Sequence, residues 1–362
     1  MARYEIHGGT PLNGNVTISG VTTSGNTDNT SNNAINGSGV ITVGGNVTVT
    51  DAVAAGHGAF LDQGKLLVTG NIEINGTGAG KQGLYGANES KDSAGAITKF
   101  AEIKAANITV RNSGGNGIYI NKNSGKVTVT GAILIDGAAQ HGINNVGTVN
   151  AGSITINNAC PTGTNNGINN NGGAVTVTGA VTVNGVGGHG VSNNKNFTAA
   201  SVTVTNPGKN GGNGIQNSGS GNMTIYGAVN ISNVINGHAI YNAKTVSFGS
   251  FTSVDTSKNG INNGGTFTVA GELSVTNAGG DAVSNSKTLT AGSIAVDTGA
   301  KSGINNSGTF SVTGLTSVKN ITCTDANAIQ NRGTMTLGDV VVDGLMAKIG
   351  TETYDDNGTE KT

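Results

Sequence analysis

The chain of 362 residues carries 11% charged residues, 4% aromatics, no Trp and a formal net charge of −1. Ordinary soluble proteins hold roughly 25% charged residues, yet Val, Ile and Thr alternate here, unlike the charged compositions of disordered chains. So small a net charge removes the electrostatic case for nucleic acid or an anionic membrane as a partner, and no stretch reaches the roughly 18 apolar residues of a membrane helix.

The N-terminus "MARYEIHGG" has no hydrophobic core of a secretory signal. "VTISG" (Val16–Gly20) alternates like a first strand. Residues 1–30 are read as a leader or cap. Repeats begin near residue 31, first as the weak copies "NNAINGSG" (32–39), "GHGAFLDQ" (56–63), "QGLYGANE" (82–89) and "NGIYINKN" (116–123).

From His141 onward the copies sharpen to a small or polar residue, Gly or Ala, Ile or Val, any residue, then Asn. One column results: Asn145, Asn170, Asn193, Asn217, Asn242, Asn263, Asn285, Asn306 and Asn331. Its gaps run from 21 to 25 residues, and an aliphatic stands two places before each Asn, from Ile143 to Ile329. With the weak copies this makes about thirteen units.

Each unit holds three short extended segments, as in "GINN", "AVTVTG" and "AVTVNG" after Asn166. Val175 and Val177 face one side, Thr176 and Thr178 the other, which is the period of a strand. No window supports a long amphipathic helix. A short period with three strands fits one rung of a parallel β-helix, and the Leu columns of leucine-rich repeats are missing. The expectation is one all-β, right-handed parallel β-helix over 31–350, of about 13 rungs, followed by a polar tail at 351–362. At about 4.8 Å per rung the stack reaches roughly 60 Å. Rungs alternate between two kinds, "TVTVTG"-like and "NFTAASVTV"-like, so the true repeat is a pair.

Asn tolerates the left-handed backbone of tight turns and offers both donors and an acceptor. The Asn column is therefore expected at a turn, with each amide bonded to the next. His57, His141, His189 and His238 share another column with Asn116, Asn166, Asn213 and Asn259. Equivalent atoms two rungs apart lie about 9.6 Å from each other, far beyond a shared zinc, so this column reads as a polar turn ladder. Cys160 and Cys323 are too few for a disulfide framework and read as buried small residues. "GGDAVSNS" (279–286) matches a calcium nonapeptide once, at the wrong spacing.

Acids are sparse; the pairs Asp339/Asp343 and Asp355/Asp356 are the nearest to a glycosidase couple. No catalytic, cofactor-binding or metal residue is assigned, and none of these groups is expected. Outward Thr residues form partial stripes, Thr128/Thr130, Thr176/Thr178, Thr224, Thr268, Ser311/Thr313 and Thr336. Flat Thr-x-Thr ladders mark β-helical ice-binding proteins, but Tyr226 and Ala270 occupy the second place and alternate rungs break the stripe. Tyr119, Tyr226 and Tyr241 are the candidate ligand-surface aromatics.

The Gly/Asn/Thr-rich, Cys-poor rungs of residues 30–350 resemble the β-helical passenger and adhesin regions of bacterial surface proteins. That resemblance implies an exported stalk or adhesive surface. "YEIHGGTPLNGNVTISG" (Tyr4–Gly20) resembles the start of UDP-N-acetylglucosamine enolpyruvyl transferases. That family continues with Ala-Lys-Asn, whose Lys and Asn serve its active site; here Thr22 and Thr23 stand in their place. The expected function is a non-enzymatic structural or adhesive module of a bacterial surface or extracellular fibre. Its expected partners are a second copy, end to end, or a glycan or host surface. A carbohydrate-binding or carbohydrate-cleaving β-helix is the alternative; ice binding and the transferase are remote ones.

Overall fold

The computed structural model describes residues 11–20, 33–52, 56–322 and 327–344. Within them the chain is all-β and winds as a parallel solenoid. Thirteen three-residue strands form one sheet, starting at Ile35–Gly37 and ending at Ile329–Asn331. Each pairs in parallel and in register with its equivalent one turn away, as Ile143–Asn145 does with Ile118–Ile120 and Ile168–Asn170. The strand Val16–Ser19 pairs with Val47–Thr50 and so already belongs to the stack.

The other two segments of each turn build a second, larger sheet. In the early turns they are separate, as in Lys126–Val129 and Ala132–Asp136. From Ala174 to Gly299 they merge into single bent strands of 10 to 13 residues, so the expected three strands become two there.

The bend also explains the paired repeat. Two residues span it in one kind of turn (Thr178 and Gly179, Tyr226 and Gly227, Ala270 and Gly271), and a single residue (Ala200, Gly249, Gly292) in the other. Every second turn thus carries a one-residue bulge at the same corner.

Alternation then sorts the side chains. Val149, Val175, Phe197, Met223, Val246, Phe267, Leu289 and Phe310 share one inward column and are buried. Stacked on each other, such residues remove apolar area that no turn could bury alone, roughly 1.5–3 kcal/mol for each large side chain. Phe248, Phe251 and Phe267 meet edge to face inside this core, with centroids 5.5 and 6.3 Å apart for the two perpendicular pairs. The Gly before each short strand has a steric cause. A Cβ on Gly142 would lie 2.6 Å from Ile156 and 2.7 Å from the carbonyl of Gly167.

One element departs from the stack. Glu89–Lys91 pairs antiparallel with Ile97–Phe100 in a hairpin that leaves the solenoid after Ala87. Asp92 Oδ1 caps its tip, accepting the N–H groups of Ala94 and Ala96.

Candidate functional site

The Asn column is a continuous ladder, buried as far as Asn306. Nδ2 of Asn145 donates to Oδ1 of Asn170 at 2.9 Å, and the pattern repeats through Asn193, Asn217, Asn242, Asn263, Asn285 and Asn306 to Asn331, always between 2.7 and 3.0 Å. Its place differs from the expected turn. Each Asn is the last residue of a three-residue strand, and as far as Asn306 the first and third side chains of that strand face inward, so the Asn lies in the core beside Ile143 or its equivalent; Asn331, in the last turn, is exposed. The second amide hydrogen reaches a carbonyl on the next turn, such as Thr266 for Asn242 and Thr288 for Asn263. The ladder begins at Asn145 because Ile120 holds the position one turn earlier, and Asn145 Oδ1 accepts nothing.

A second polar column precedes the short strands. His57 Nδ1 accepts the backbone N–H of Gln82 at 2.8 Å, and Gln82 Oε1 accepts that of Asn116. Asn116, His141, Asn166, His189, Asn213, His238, Asn259 and Asp281 continue the rule, each accepting the N–H of the equivalent residue on the following turn. The histidines are thereby held as neutral acceptors. Burial, joined by Lys81, lowers His57 to about 4, and burial lowers His141 to about 4. His189 and His238 are lowered by the same cause. Asp281, which invited the calcium reading, is occupied here: Oδ1 accepts Ser302 N–H and Oδ2 accepts the Asn305 amide, both at 3.1 Å.

A third column escaped the sequence reading. Each turn has one residue with left-handed backbone after its last outward strand position: Asp51, Gly76, Asn112, Gly137, Asn158, Gly185, Asn206, Asn233, Asp255, Asn277, Thr298, Asn320 and Gly344. Asn, Asp and Gly suit that conformation; Thr298, at φ +60°, does not. The available signal was Asn, Asp or Gly closing each "VTVN"-like strand.

The outward faces carry the remaining candidates. Tyr119 and Tyr241 are middle residues of short strands five turns apart, roughly 24 Å at strand spacing. Tyr226 stands 74% exposed at the bend of the other sheet. Tyr119 and Tyr241 thus share one face at that distance, and Tyr226 lies on the other. Tyr119 stacks on Tyr85 with centroids 5.0 Å apart and planes 5° apart, and Phe60 and His57 complete the cluster. One face of each Tyr ring is therefore spent on the other. Beside them a cleft of about 230 Å³ lies between the hairpin and the stack, lined by Gln63, Lys65, Lys99 and Phe100. Its Lys65 is engaged by Glu102 at 2.8 Å and by the Phe100 ring at 5.0 Å.

On the larger sheet, two outward columns run in register. One is Thr245, Thr266, Thr288, Thr309 and Thr334; the other is Ser247, Thr268, Thr290, Ser311 and Thr336. The expectation of a broken stripe was an error of alignment. The partner of Thr268 lies two residues before it, at Thr266. The residue two after, Ala270, sits on the bend and has left the flat face, as have Thr178, Tyr226 and Thr313. Turns of both kinds contribute to the true columns.

Among the described residues no group of three or more His, Cys, Asp or Glu could hold a metal ion, and no helix is long and apolar enough to cross a membrane. Cys160 is buried, its sulfur accepting the Asn165 N–H at 3.3 Å. Cys323, Thr22, Thr23, Asp355, Asp356 and the tail at 351–362 lie outside the described residues. Comparison with protein-family models, with curated proteins and with solved structures finds no match.

Proposed function

We propose that this chain is a non-enzymatic structural or adhesive rod, displayed on a bacterial surface or built into an extracellular fibre. The observation that carries it is the continuous bracing of the stack. From Asn145 to Asn331 the short strands are tied by the amide ladder at one end and, as far as Ser302, by the His/Asn column at the other. Such a body holds its length and presents long continuous faces, which suits a spacer or an adhesive surface. Electron microscopy of the purified chain is expected to show straight particles of roughly 60 Å or more, and labelled chain is expected to coat host cells or a glycan array. A lyase or hydrolase activity on extracellular polysaccharides would overturn this reading, as would confinement of the native protein to the cytoplasm.

The last turn supports the end-to-end partner. Val340, Val341 and Val342 are 43–46% exposed, and their strand pairs on one side only among the described residues. Light scattering over a concentration series is expected to show growing assemblies; a constant monomer mass would remove this part of the proposal.

A further inference from the structure

We propose that the Thr/Ser face of the last five turns is an ice-binding surface. It stands apart from the adhesive reading and neither needs nor excludes it.

The face is a two-column lattice. Along the axis, in-register pairing sets Thr266, Thr288 and Thr309 about 4.8 Å apart; along each strand, Thr266 and Thr268 are separated by roughly 6.6 Å. Both spacings lie near repeats of the oxygen lattice of ice. The same hydroxyl both donates and accepts, as lattice water does. Thr245, Thr266, Thr288, Thr309 and Thr334 are all exposed. The β-branched side chain has a stiff first torsion, so little freedom is lost on binding.

Chemistry narrows the ligand further. Neither column contains a charge from Thr148 and Asn150 to the end of the stack. Lys244, Lys287 and Arg332 stand nearby, before the first column, at the rim. Without charge the lattice has no hold on a mineral, and without an aromatic ring it has no platform for a flat polysaccharide. Flatness has its own support. The amides of Asn217, Asn242, Asn263, Asn285 and Asn306 also reach the backbone carbonyls of Thr245, Thr266, Thr288, Thr309 and Thr334 in turn, the last four sharing that hydrogen with a carbonyl of their own turn, Lys244, Gly265, Lys287 or Gly308. The buried ladder thus pins the edge of the lattice, one bond per turn, where ordinary sheets twist.

The test uses the full chain. Ice crystals grown in its presence are expected to become faceted, to show a gap between melting and growth temperatures, and to take up fluorescently labelled chain. The double variant Thr268→Lys with Thr290→Lys is expected to lose most of that gap and uptake. Thr203→Lys, on the outward face beyond the bend, is expected to keep both, with circular dichroism confirming the fold of each. Wild-type chain that leaves ice unshaped and is rejected by the growing crystal overturns the proposal, whatever the variants do. So does a folded double variant that retains activity, or partition of the chain onto crystalline cellulose or chitin in place of ice.

Discussion

The turns before Asn145 and those after it share one backbone path but are sealed differently. In the early turns the ladder position holds Gly37, Leu61, Gly86 and Ile120, and register rests on apolar packing and the sheet itself. In the later turns it holds Asn throughout, buried from Asn145 to Asn306 and exposed at Asn331. The outward faces follow the same division. Lys65, Glu102, Lys126 and Lys104 stand where the later turns have Thr or other uncharged residues, and Phe60, Tyr85 and Tyr119 stand where Asn144, Asn169 and Ser192 follow. The early turns also tolerate a hairpin. The solenoid therefore does not require the amide ladder; the ladder accompanies uniformity. A buried polar column fixes one register, since any slip leaves amides unpaired.

Acid tests what the two regions share. The histidine column crosses both, with His57 in the early turns and His141 at the border. Both are neutral acceptors with pKa lowered from 6.5 to about 4. The fold binds the neutral form, so their stability is fully present above about pH 6.5, declines as pH falls, and is lost once pH drops below about 4. Each is expected to cost roughly 3 kcal/mol across that window, measured as the denaturant midpoint against pH. His141→Asn, which copies the intervening turns, is expected to flatten its share of the slope.

Breaking the ladder should separate the regions. Asn242→Ala removes one ladder bond from Asn217 and one from Asn263, leaving the first on the Thr245 carbonyl and the second on the Gly265 N–H, and empties a buried amide site; the lost bonds and the cavity cost about 2–4 kcal/mol. Asn145→Ala strands only Oδ1 of Asn170 and is expected to cost about half as much. Hydrogen exchange should show faster opening near residue 242 while the turns before 120 stay protected. Smaller is the gain at Thr298, where Thr298→Asn places a tolerant residue in the left-handed column and is expected to raise stability by about 1 kcal/mol in thermal unfolding. Smallest is the hairpin tip. Replacing 92–96 by a short turn should shift the same unfolding by less than about 0.5 kcal/mol, because those residues lie exposed outside the core.

The stack was legible from the Asn column, whose spacing is that of one turn, and from the alternation of Val with Thr. The inward burial of those Asn residues was not, because a repeated polar residue reads as a turn until its neighbours in space are known. The hairpin announced itself only as a 34-residue gap between Gln82 and Asn116. Gln82 and Asn33 belong to the histidine column by geometry, since a side-chain oxygen and an imidazole nitrogen can accept the same N–H. The Thr lattice was hidden by the one-residue bulge on alternate turns, which shifts any alignment that starts from the wrong side of the bend.

The two polar columns also have a direction. In the amide ladder every donor points toward the C-terminal end of the rod, from Asn145 to Asn331. In the histidine column every donor is the backbone N–H of the later turn and points back toward the N-terminal end. The short strands are thus flanked by two lines of hydrogen bonds running in opposite senses. Only the amide ladder keeps a net polarity along the stack, because each N–H of the histidine column stands beside its own carbonyl, which faces the same earlier turn, as His141 O does in accepting the Gly117 N–H.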